Sequence, residues 1–275
     1  MVRIKVECSY NGSAFHGWAR QVGERTVQGE IERALSTVLR SEIKIQVAGR
    51  TDAGVHAKAQ IFHADLPYLE GRLADLSYLS NRVNCLLGKD VALKRAEPAP
   101  PGFDARFSAL SRTYVYRISP SRSSRSLFLN GFVWDLNFNP DLDLLNSLAP
   151  NILGLKDFAS FALPNPGGTT IREVKEARWE KAEGEIGSGT LKFTIKADAF
   201  ARKMVRFLVG GQICVASGKK PASWFLEKFG SYRDFPPLAP AEGLTLEKVD
   251  YPEDGLLEAR AAITRAVRKK DELGG

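Results

Sequence analysis

Residues 43–63 read IKIQVAGRTDAGVHAKAQIFH, a stretch that predicts two strands joined by a loop. Ile43, Ile45 and Val47 alternate with polar residues, as expected of a half-buried strand. Strand-forming residues resume at 60–63, so a second strand follows the loop. The glycines and the aspartate between the two strands are typical of a turn. This part of the chain is therefore predicted to be a strand, a loop and a strand.

The segments on both sides of this stretch complete a βαββαβ order. Residues 2–8 alternate apolar and polar side chains, which predicts a strand. After Thr26, a suitable N-cap, apolar residues recur with the 3.6-residue period of a helix. Residues 73–87 predict a second helix, and residues 90–96 predict another strand. This is the order of the ferredoxin-like fold, an antiparallel sheet with two helices on one face.

The rest of the chain is predicted to repeat this order with insertions. Strands are predicted over residues 113–118, 132–134, 171–179, 190–197 and 246–251, and helices over residues 142–153 and 199–216. Three prolines and a glycine within residues 98–102 indicate the joint between two units. The predicted fold class is α+β, with two ferredoxin-like (βαββαβ) units at residues 1–110 and 111–275. We expect a ligand to bind in a cleft between the two units.

The charge balance is moderately positive. The 275 residues include 39 Lys and Arg against 32 Asp and Glu, a formal net charge of +7. Basic residues cluster over residues 112–126 and 196–220, where they would either bind a polyanion or only keep the surface soluble. The sequence contains no apolar stretch of about 18 residues and does not begin with a signal-like segment, so we expect a cytoplasmic protein.

We expect no metal and no cofactor. Cys8, Cys85 and Cys214 are odd in number and far apart in the sequence, which is typical of reduced thiols. The three histidines have no His or Cys partner at a metal-ligand spacing. No Gly-x-Gly-x-x-Gly motif follows a predicted strand, and no Gly-x-Ser-x-Gly motif occurs. These absences argue against nucleotide-dependent enzymes, metalloenzymes and serine hydrolases.

Residues 49–56, GRTDAGVH, contain the densest group of chemically active side chains. In a structural interpretation, Asp52 hydrogen-bonds to its own backbone and the glycines adopt positive φ. In a catalytic interpretation, the two flanking strands hold the loop firmly, so that Asp52 is a positioned nucleophile or base. The pattern of residues alone leaves both interpretations open.

Several segments together resemble the tRNA pseudouridine synthases of the A type. AGRTDAGVHA, with Asp52 at its centre, resembles that family's catalytic loop. Other family-like segments follow in family order at residues 10–13, 17–18, 25–29, 105–109, 112–116 and 199–206, together with Phe15 and Gly210. The resemblance covers most of the chain and implies two ferredoxin-like units joined in one continuous, mainly antiparallel sheet. Asp104, Gly88 and Ala19 differ from the residues frequent in the family.

The resemblance also implies a reaction. Uridine is isomerised to pseudouridine in the anticodon stem-loop of tRNA, at positions 38, 39 and 40. The N-glycosidic bond breaks, the uracil turns over without leaving, and a bond forms between C5 and C1′. This chemistry needs no metal and no cofactor. Family members are homodimers whose two subunits share the RNA, and the same is implied here.

Site residues are assigned by the same resemblance. Asp52 starts the reaction as an ionised carboxylate, and the charge of Arg206 offsets its desolvation. Tyr114 lies against the uracil, with Tyr116 as the alternative. Arg50 supports flipping of the target nucleotide out of its helix. The remaining residues are assigned to RNA contact or loop order: Arg202, Lys203, His56, Arg117, Arg122 and Arg125.

Other interpretations of these residues remain. A non-catalytic RNA-binding or RNA-folding protein would keep the fold and the basic surface, but would not require Asp52. An unrelated hydrolase would use Asp52 as a lone acid, but the sequence offers no suitably placed second acid or metal. At the level of single residues, Arg206 would only be a solvated helix residue and Tyr114 would only pack in the core.

Overall fold

The chain forms two compact units. A computed structural model describes residues 1–67, 69–121, 127–164, 167–184, 189–229, 234–266 and 268. The first unit contains Met1–Leu110 and Leu246–Ala266, and the second contains Ser111–Thr245 and Arg268. The sequence-based division instead assigned all of residues 111–275 to the second unit. Within the described ranges, no helix is long and apolar enough to cross a bilayer.

The first unit contains an antiparallel arrangement of strands. Its elements are β1 (Val2–Tyr10), α1 (Val27–Leu39), β2 (Ile45–Val47), β3 (His56–Leu66), α2 (Leu76–Asn84) and β4 (Val91–Pro98). β1 pairs antiparallel with both β3 and β4, and β2 pairs antiparallel with β3. The strand order is therefore β4-β1-β3-β2. The order of elements along the chain is the one predicted from the sequence.

The second unit is built on four antiparallel strands. Its elements are β5 (Ser111–Ser119), β6 (Trp134–Asp135), α3 (Leu142–Leu148), β7 (Gly154–Asp157), β8 (Ile171–Lys181), β9 (Leu191–Ala197), α4 (Met204–Ala216) and α5 (Ala222–Glu227). The strand order is β5-β9-β8-β7, and each neighbouring pair is antiparallel. β6 is a short parallel partner of β5. The predicted α+β class with mostly antiparallel strands is confirmed.

The C-terminal segment of the chain completes the first unit. From Leu246 onward, β10 (Leu244–Asp250) belongs to this unit and lies beside β3, and α6 (Leu257–Arg265) follows it. The hydroxyl of Tyr251 donates a hydrogen bond of 2.6 Å to the carbonyl oxygen of Ala105, and its ring centroid lies 5.0 Å from that of Phe103. These contacts explain why residues 246–266 pack with the first unit although they are distant from it in sequence.

Side-chain caps explain where the first unit's helices begin. Thr26 precedes α1, and its Oγ1 accepts a hydrogen bond of 3.2 Å from the Gly29 amide. Asp75 precedes α2, and its carboxylate accepts a hydrogen bond of 2.9 Å from the Ser77 amide. Each cap satisfies an amide that has no partner inside the helix. The cap at Asp75 explains why α2 begins at Leu76, whereas the predicted helix covered residues 73–87.

Two helices of the second unit also differ from their predicted bounds. α4 begins at Met204 rather than at residue 199, because Lys203 has a left-handed backbone with φ of 64°. α3 ends at Leu148, and a 3-10 turn over Ala149–Ile152 replaces its predicted continuation. The strand predicted over residues 132–134 overlaps β6 only at Trp134, because β6 consists of residues 134 and 135. β7 and α5 were not predicted, because short elements show little periodicity, and α6 was not predicted either.

Candidate active site

The loop with Asp52 is tied to its neighbours through the backbone. The Trp18 amide donates a hydrogen bond of 3.0 Å to the carbonyl oxygen of Thr51, and the Gly54 amide donates one of 3.4 Å to that of Phe15. Inside the loop, the Val55 amide donates to the carbonyl oxygen of Asp52 at 3.2 Å. The segment is thus a tight turn, as the structural interpretation predicts, and it is also held in place, as the catalytic interpretation requires.

Residues 12–18 approach this loop so closely that two positions require glycine. A Cβ atom at Gly12 would lie 2.1 Å from the carbonyl oxygen of Val55. Gly17 has a φ of 92°, and a Cβ atom there would lie 2.9 Å from the carbonyl oxygen of Thr51. His56 is buried, and its Nδ1 accepts a hydrogen bond of 3.0 Å from the Gly12 amide. This position of His56 favours loop ordering over direct RNA contact.

Charged side chains of the loop are accessible, whereas residues next to them are buried. Thr51 and Val55 are buried, whereas Asp52 is partly exposed and Arg50 is exposed. A carboxylate in this position is accessible to a substrate, while the backbone that carries it is fixed. The structure thus brings Arg50 and Asp52 together within one ordered loop.

The start of α1 supports the segment that packs on the loop. Backbone hydrogen bonds join His16 to Arg25 and Val27 to Gly17, at 2.9 and 3.2 Å. The Arg25 guanidinium lies 4.2 Å from the centroid of the Phe15 ring and forms an ion pair of 2.6 Å with Asp90. The hydrogen bond from Arg25 lowers the pKa of the Asp90 carboxyl. These contacts give the family-like residues 25–29 a structural role that the sequence alone did not reveal.

Tyr114 and Tyr116 point to the same side of β5, because side chains two residues apart in a strand share a face. Tyr114 is 7% exposed, and its ring packs edge-on against that of Phe200 at 5.1 Å. Tyr116 is fully buried, and its hydroxyl donates a hydrogen bond of 2.8 Å to the carbonyl oxygen of Pro240. Burial raises the pKa of Tyr116, although the charge of Arg206 acts in the opposite direction. Tyr116 is thus a neutral core residue.

Arg206 lies in the first turn of α4 and is partly exposed. Its Nε donates a hydrogen bond of 2.8 Å to the carbonyl oxygen of Ala239, and the Ala239 amide donates one of 3.2 Å to the carbonyl oxygen of Arg206. A Cβ atom at Gly210, one turn later, would lie 1.8 Å from the carbonyl oxygen of Pro237. The segment over residues 237–239 therefore packs directly on α4 and orients the Arg206 side chain.

Asp198 anchors the segment that leads into α4. Its Oδ1 accepts hydrogen bonds from the amides of Ala199, at 2.7 Å, and Glu173, at 3.0 Å. The buried Arg112 donates a hydrogen bond of 2.7 Å to the carbonyl oxygen of Asp198. This arrangement fixes the start of residues 199–203, which carry Phe200, Arg202 and Lys203.

Arg202 and Lys203 end this segment. Arg202 is exposed, and its carbonyl oxygen accepts a hydrogen bond of 3.0 Å from the Leu163 amide. Lys203 is partly exposed and has the left-handed backbone that precedes α4. Arg117 is partly exposed on β5, and its guanidinium donates a 3.4 Å hydrogen bond to Thr245 Oγ1. The predicted phosphate contacts Arg122 and Arg125 lie outside the described residues.

Sequence reasoning did not identify the polar residues that support the Asp52 loop. Gln60 is fully buried in β3, and its side chain reaches the loop. The only signal in the sequence was a glutamine beside the apolar pair Ile61 and Phe62. Among the described residues, no group of three or more His, Cys, Asp or Glu side chains is placed to hold a metal ion.

Known proteins are similar to this chain over nearly all of its length. A family model described as tRNA pseudouridine synthase matches residues 148–252. A tRNA pseudouridine synthase A of Bifidobacterium animalis is 45% identical, with 98% of this chain and 99% of the relative covered. Proteins of the same name from Streptomyces griseus and Mycobacterium leprae are 43% and 38% identical, over 97% of this chain and 94% and 96% of their own lengths. At this identity and coverage, the chain belongs to the tRNA pseudouridine synthase A family.

Proposed function

We propose that this protein isomerises uridine to pseudouridine in the anticodon stem-loop of tRNA. The observation that carries this proposal is the partly exposed Asp52 on a loop whose backbone is fixed on both sides. In the reaction, the bond between N1 and C1′ breaks and a bond between C5 and C1′ forms. C5 loses a proton and N1 gains one, so that the product has the composition of the substrate. No cofactor is consumed.

Four residues are proposed to take part in the reaction. Asp52 starts the reaction as a nucleophile or as a base that removes a ribose proton. Arg206 is proposed as the cationic partner of that carboxylate, and the hydrogen bond from its Nε to Ala239 supports this role by holding the guanidinium in one orientation. Tyr114 lies against the uracil, supported by its edge-on contact with Phe200. Arg50, exposed beside Asp52, assists nucleotide flipping.

The tRNA backbone is proposed to contact basic residues of the second unit. Arg202 is exposed and Lys203 is partly exposed, and both lie at the end of the segment anchored by Asp198. Of the predicted phosphate contacts Arg117, Arg122 and Arg125, Arg117 is the one that lies among the described residues. The overall charge of +7 favours association with a polyanion.

We further propose that each unit is ferredoxin-like. The order β4-β1-β3-β2, with one helix between β1 and β2 and another between β3 and β4, supports this for the first unit. Family membership supports a homodimer and one continuous sheet. A cytoplasmic location follows from the proposed action on tRNA.

The decisive experiment is site-by-site mapping of pseudouridine in unmodified tRNA after incubation with the purified protein. The assay contains no added metal or nucleotide. We expect pseudouridine in the anticodon arm with the wild type. With Asp52→Asn we expect turnover to fall at least about a thousandfold while tRNA binding is retained, because the amide keeps the shape but removes the reactive charge. Asp75→Asn is the matched control, because asparagine also caps helices well.

Two results would contradict this proposal. Ordinary turnover by Asp52→Asn would exclude Asp52 as the residue that starts the reaction. Tight tRNA binding by the wild type without any pseudouridine would instead support the non-catalytic RNA-binding alternative.

A further inference from the structure

Three buried side chains form a hydrogen-bond network next to the Asp52 loop. The hydroxyl groups of Tyr10 and Thr51 share a hydrogen bond of 2.8 Å. The Gln60 amide nitrogen donates to the Tyr10 hydroxyl at 3.3 Å and to the carbonyl oxygen of Gly49 at 2.7 Å. We propose that Tyr10, Thr51 and Gln60, here called the loop anchor, are positioning residues that orient Asp52 for the reaction. This inference rests on the function proposed above.

Two members of the loop anchor belong to paired strands. Tyr10 is the last residue of β1 and lies opposite Ala57 of β3. Gln60 is within β3, opposite Cys8 of β1. Because β1 and β3 are joined by an antiparallel ladder, these two side chains have fixed starting points. The loop is thus attached to the sheet, in addition to the backbone hydrogen bonds at its two ends.

The network holds the loop on both sides of Arg50. Gln60 binds the carbonyl oxygen of Gly49, and Tyr10 binds the side chain of Thr51, the residue directly before Asp52. The carbonyl oxygen of Thr51 is also fixed by the Trp18 amide. Thr51 is therefore restrained through both its side chain and its backbone. Since Asp52 is the next residue, these restraints set the direction in which its side chain extends from the loop.

Burial makes these hydrogen bonds difficult to replace. Tyr10 is 4% exposed, Thr51 is 7% exposed and Gln60 is fully buried. Water does not readily reach these groups, so removal of either hydroxyl leaves the remaining buried polar groups with one hydrogen bond fewer. The loop then shifts so that these groups form other hydrogen bonds. A small displacement of the Asp52 carboxylate is enough to lower the rate of the reaction.

Two possible roles of the loop anchor predict different results when it is lost. As a positioning device, its loss lowers kcat and leaves substrate binding unchanged, because Asp52 contributes to the transition state. As a mere stabilising network, its loss lowers the unfolding temperature without changing kcat of the folded protein. Tyr251 offers a matched comparison, because its hydroxyl also makes a hydrogen bond within the first unit, to Ala105, outside the Asp52 loop.

The test measures kcat, KM, tRNA affinity and unfolding temperature for five variants and the wild type. Tyr10→Phe and Thr51→Val each remove one hydroxyl of the same hydrogen bond. We expect each to lower kcat by about tenfold to a hundredfold with KM and tRNA affinity within about twofold. Their double variant should be no worse than the more impaired single variant, because both remove one shared contact. Thr51→Ser keeps the hydroxyl and should therefore have the kcat of the wild type, unlike Thr51→Val.

Tyr251→Phe, the fifth variant, should lower the unfolding temperature to a similar extent and leave kcat unchanged. The proposal is overturned if Tyr10→Phe and Thr51→Val keep wild-type kcat, or if Tyr251→Phe lowers kcat as much as they do. If the wild type is active and Asp52→Asn is inactive in the same assay, such a result overturns only the loop-anchor proposal and leaves the proposed function in place. An inactive wild type would instead refute the proposed function.

Discussion

Trp18 and Trp179 are both buried, but their indole N–H groups differ in hydrogen bonding. Trp179 Nε1 donates a hydrogen bond of 2.9 Å to the side-chain oxygen of Gln212. Trp18 Nε1 has no hydrogen-bond partner among the described residues. A buried donor without an acceptor has lost its hydrogen bonds to water and has formed none in the folded protein, which lowers the stability of the fold. The two residues therefore contribute differently to stability although their side chains are chemically identical.

We expect replacement by phenylalanine to separate these two contributions. Both substitutions remove the same ring volume, but only Trp179→Phe leaves the Gln212 oxygen unsatisfied. The free energy of unfolding should fall by about 1–3 kcal/mol more for Trp179→Phe than for Trp18→Phe. Urea denaturation followed by circular dichroism measures both values. Equal losses would contradict the assignment of an unpartnered indole to Trp18.

At the level of elements, α4 depends on a close backbone approach. Gly210 and Gly211 follow the turn that carries Arg206, and a Cβ atom at Gly211 would lie 3.0 Å from the Phe225 ring. At Gly210 the neighbour is the Pro237 carbonyl oxygen, a backbone atom that has little freedom to move aside. The same backbone segment accepts the hydrogen bond from Arg206 Nε through Ala239. Packing of the helix and orientation of Arg206 are therefore coupled.

Gly210→Ala should disturb both properties together. The added methyl group must displace residues 237–239, so we expect a loss of about 3 kcal/mol or more in unfolding free energy. The folded fraction of the variant should also show lower turnover, because the acceptor of Arg206 Nε moves. Gly255→Ala is the control, since a Cβ atom there would meet no atom within 4 Å. A variant at Gly210 with wild-type stability would show that the close approach is absent.

At the scale of the whole molecule, the net charge of +7 predicts salt-sensitive binding of tRNA. Contacts between basic side chains and phosphates release counterions, so the logarithm of the binding constant falls linearly with the logarithm of salt concentration. Arg202→Ala should reduce the magnitude of this slope by about one, because it removes one of the proposed phosphate contacts. Filter binding over a range of salt concentrations measures the slope.

Lys44→Ala provides the comparison, because Lys44 is equally charged and highly exposed but is paired with Glu42 and lies outside the proposed RNA contacts. Its slope should equal that of the wild type. Equal slopes for Arg202→Ala and the wild type would remove Arg202 from the phosphate contacts.

Local sequence was sufficient to predict the elements that have a clear period or a cap. The alternation over residues 2–8 predicted β1, and Thr26 marked the start of α1. Residues 49–56 were predicted to form a loop that carries chemically active side chains. Their structure as a tight, anchored turn is consistent with that prediction. In each case the decisive contacts lie within a few residues, or within a repeat of apolar positions along a single element.

Long-range contacts could not be predicted in this way. Residues 246–266 join the first unit because Tyr251 packs on Phe103 and bonds to Ala105, almost 150 positions earlier. Lys203 starts α4 later than the apolar period predicts, because its left-handed backbone interrupts the helix. The loop anchor joins Tyr10 to Thr51 and Gln60, which only the pairing of β1 with β3 brings into reach. Periodicity and capping act over one or two turns, whereas these contacts depend on how distant segments pack, and that is set by the whole tertiary structure.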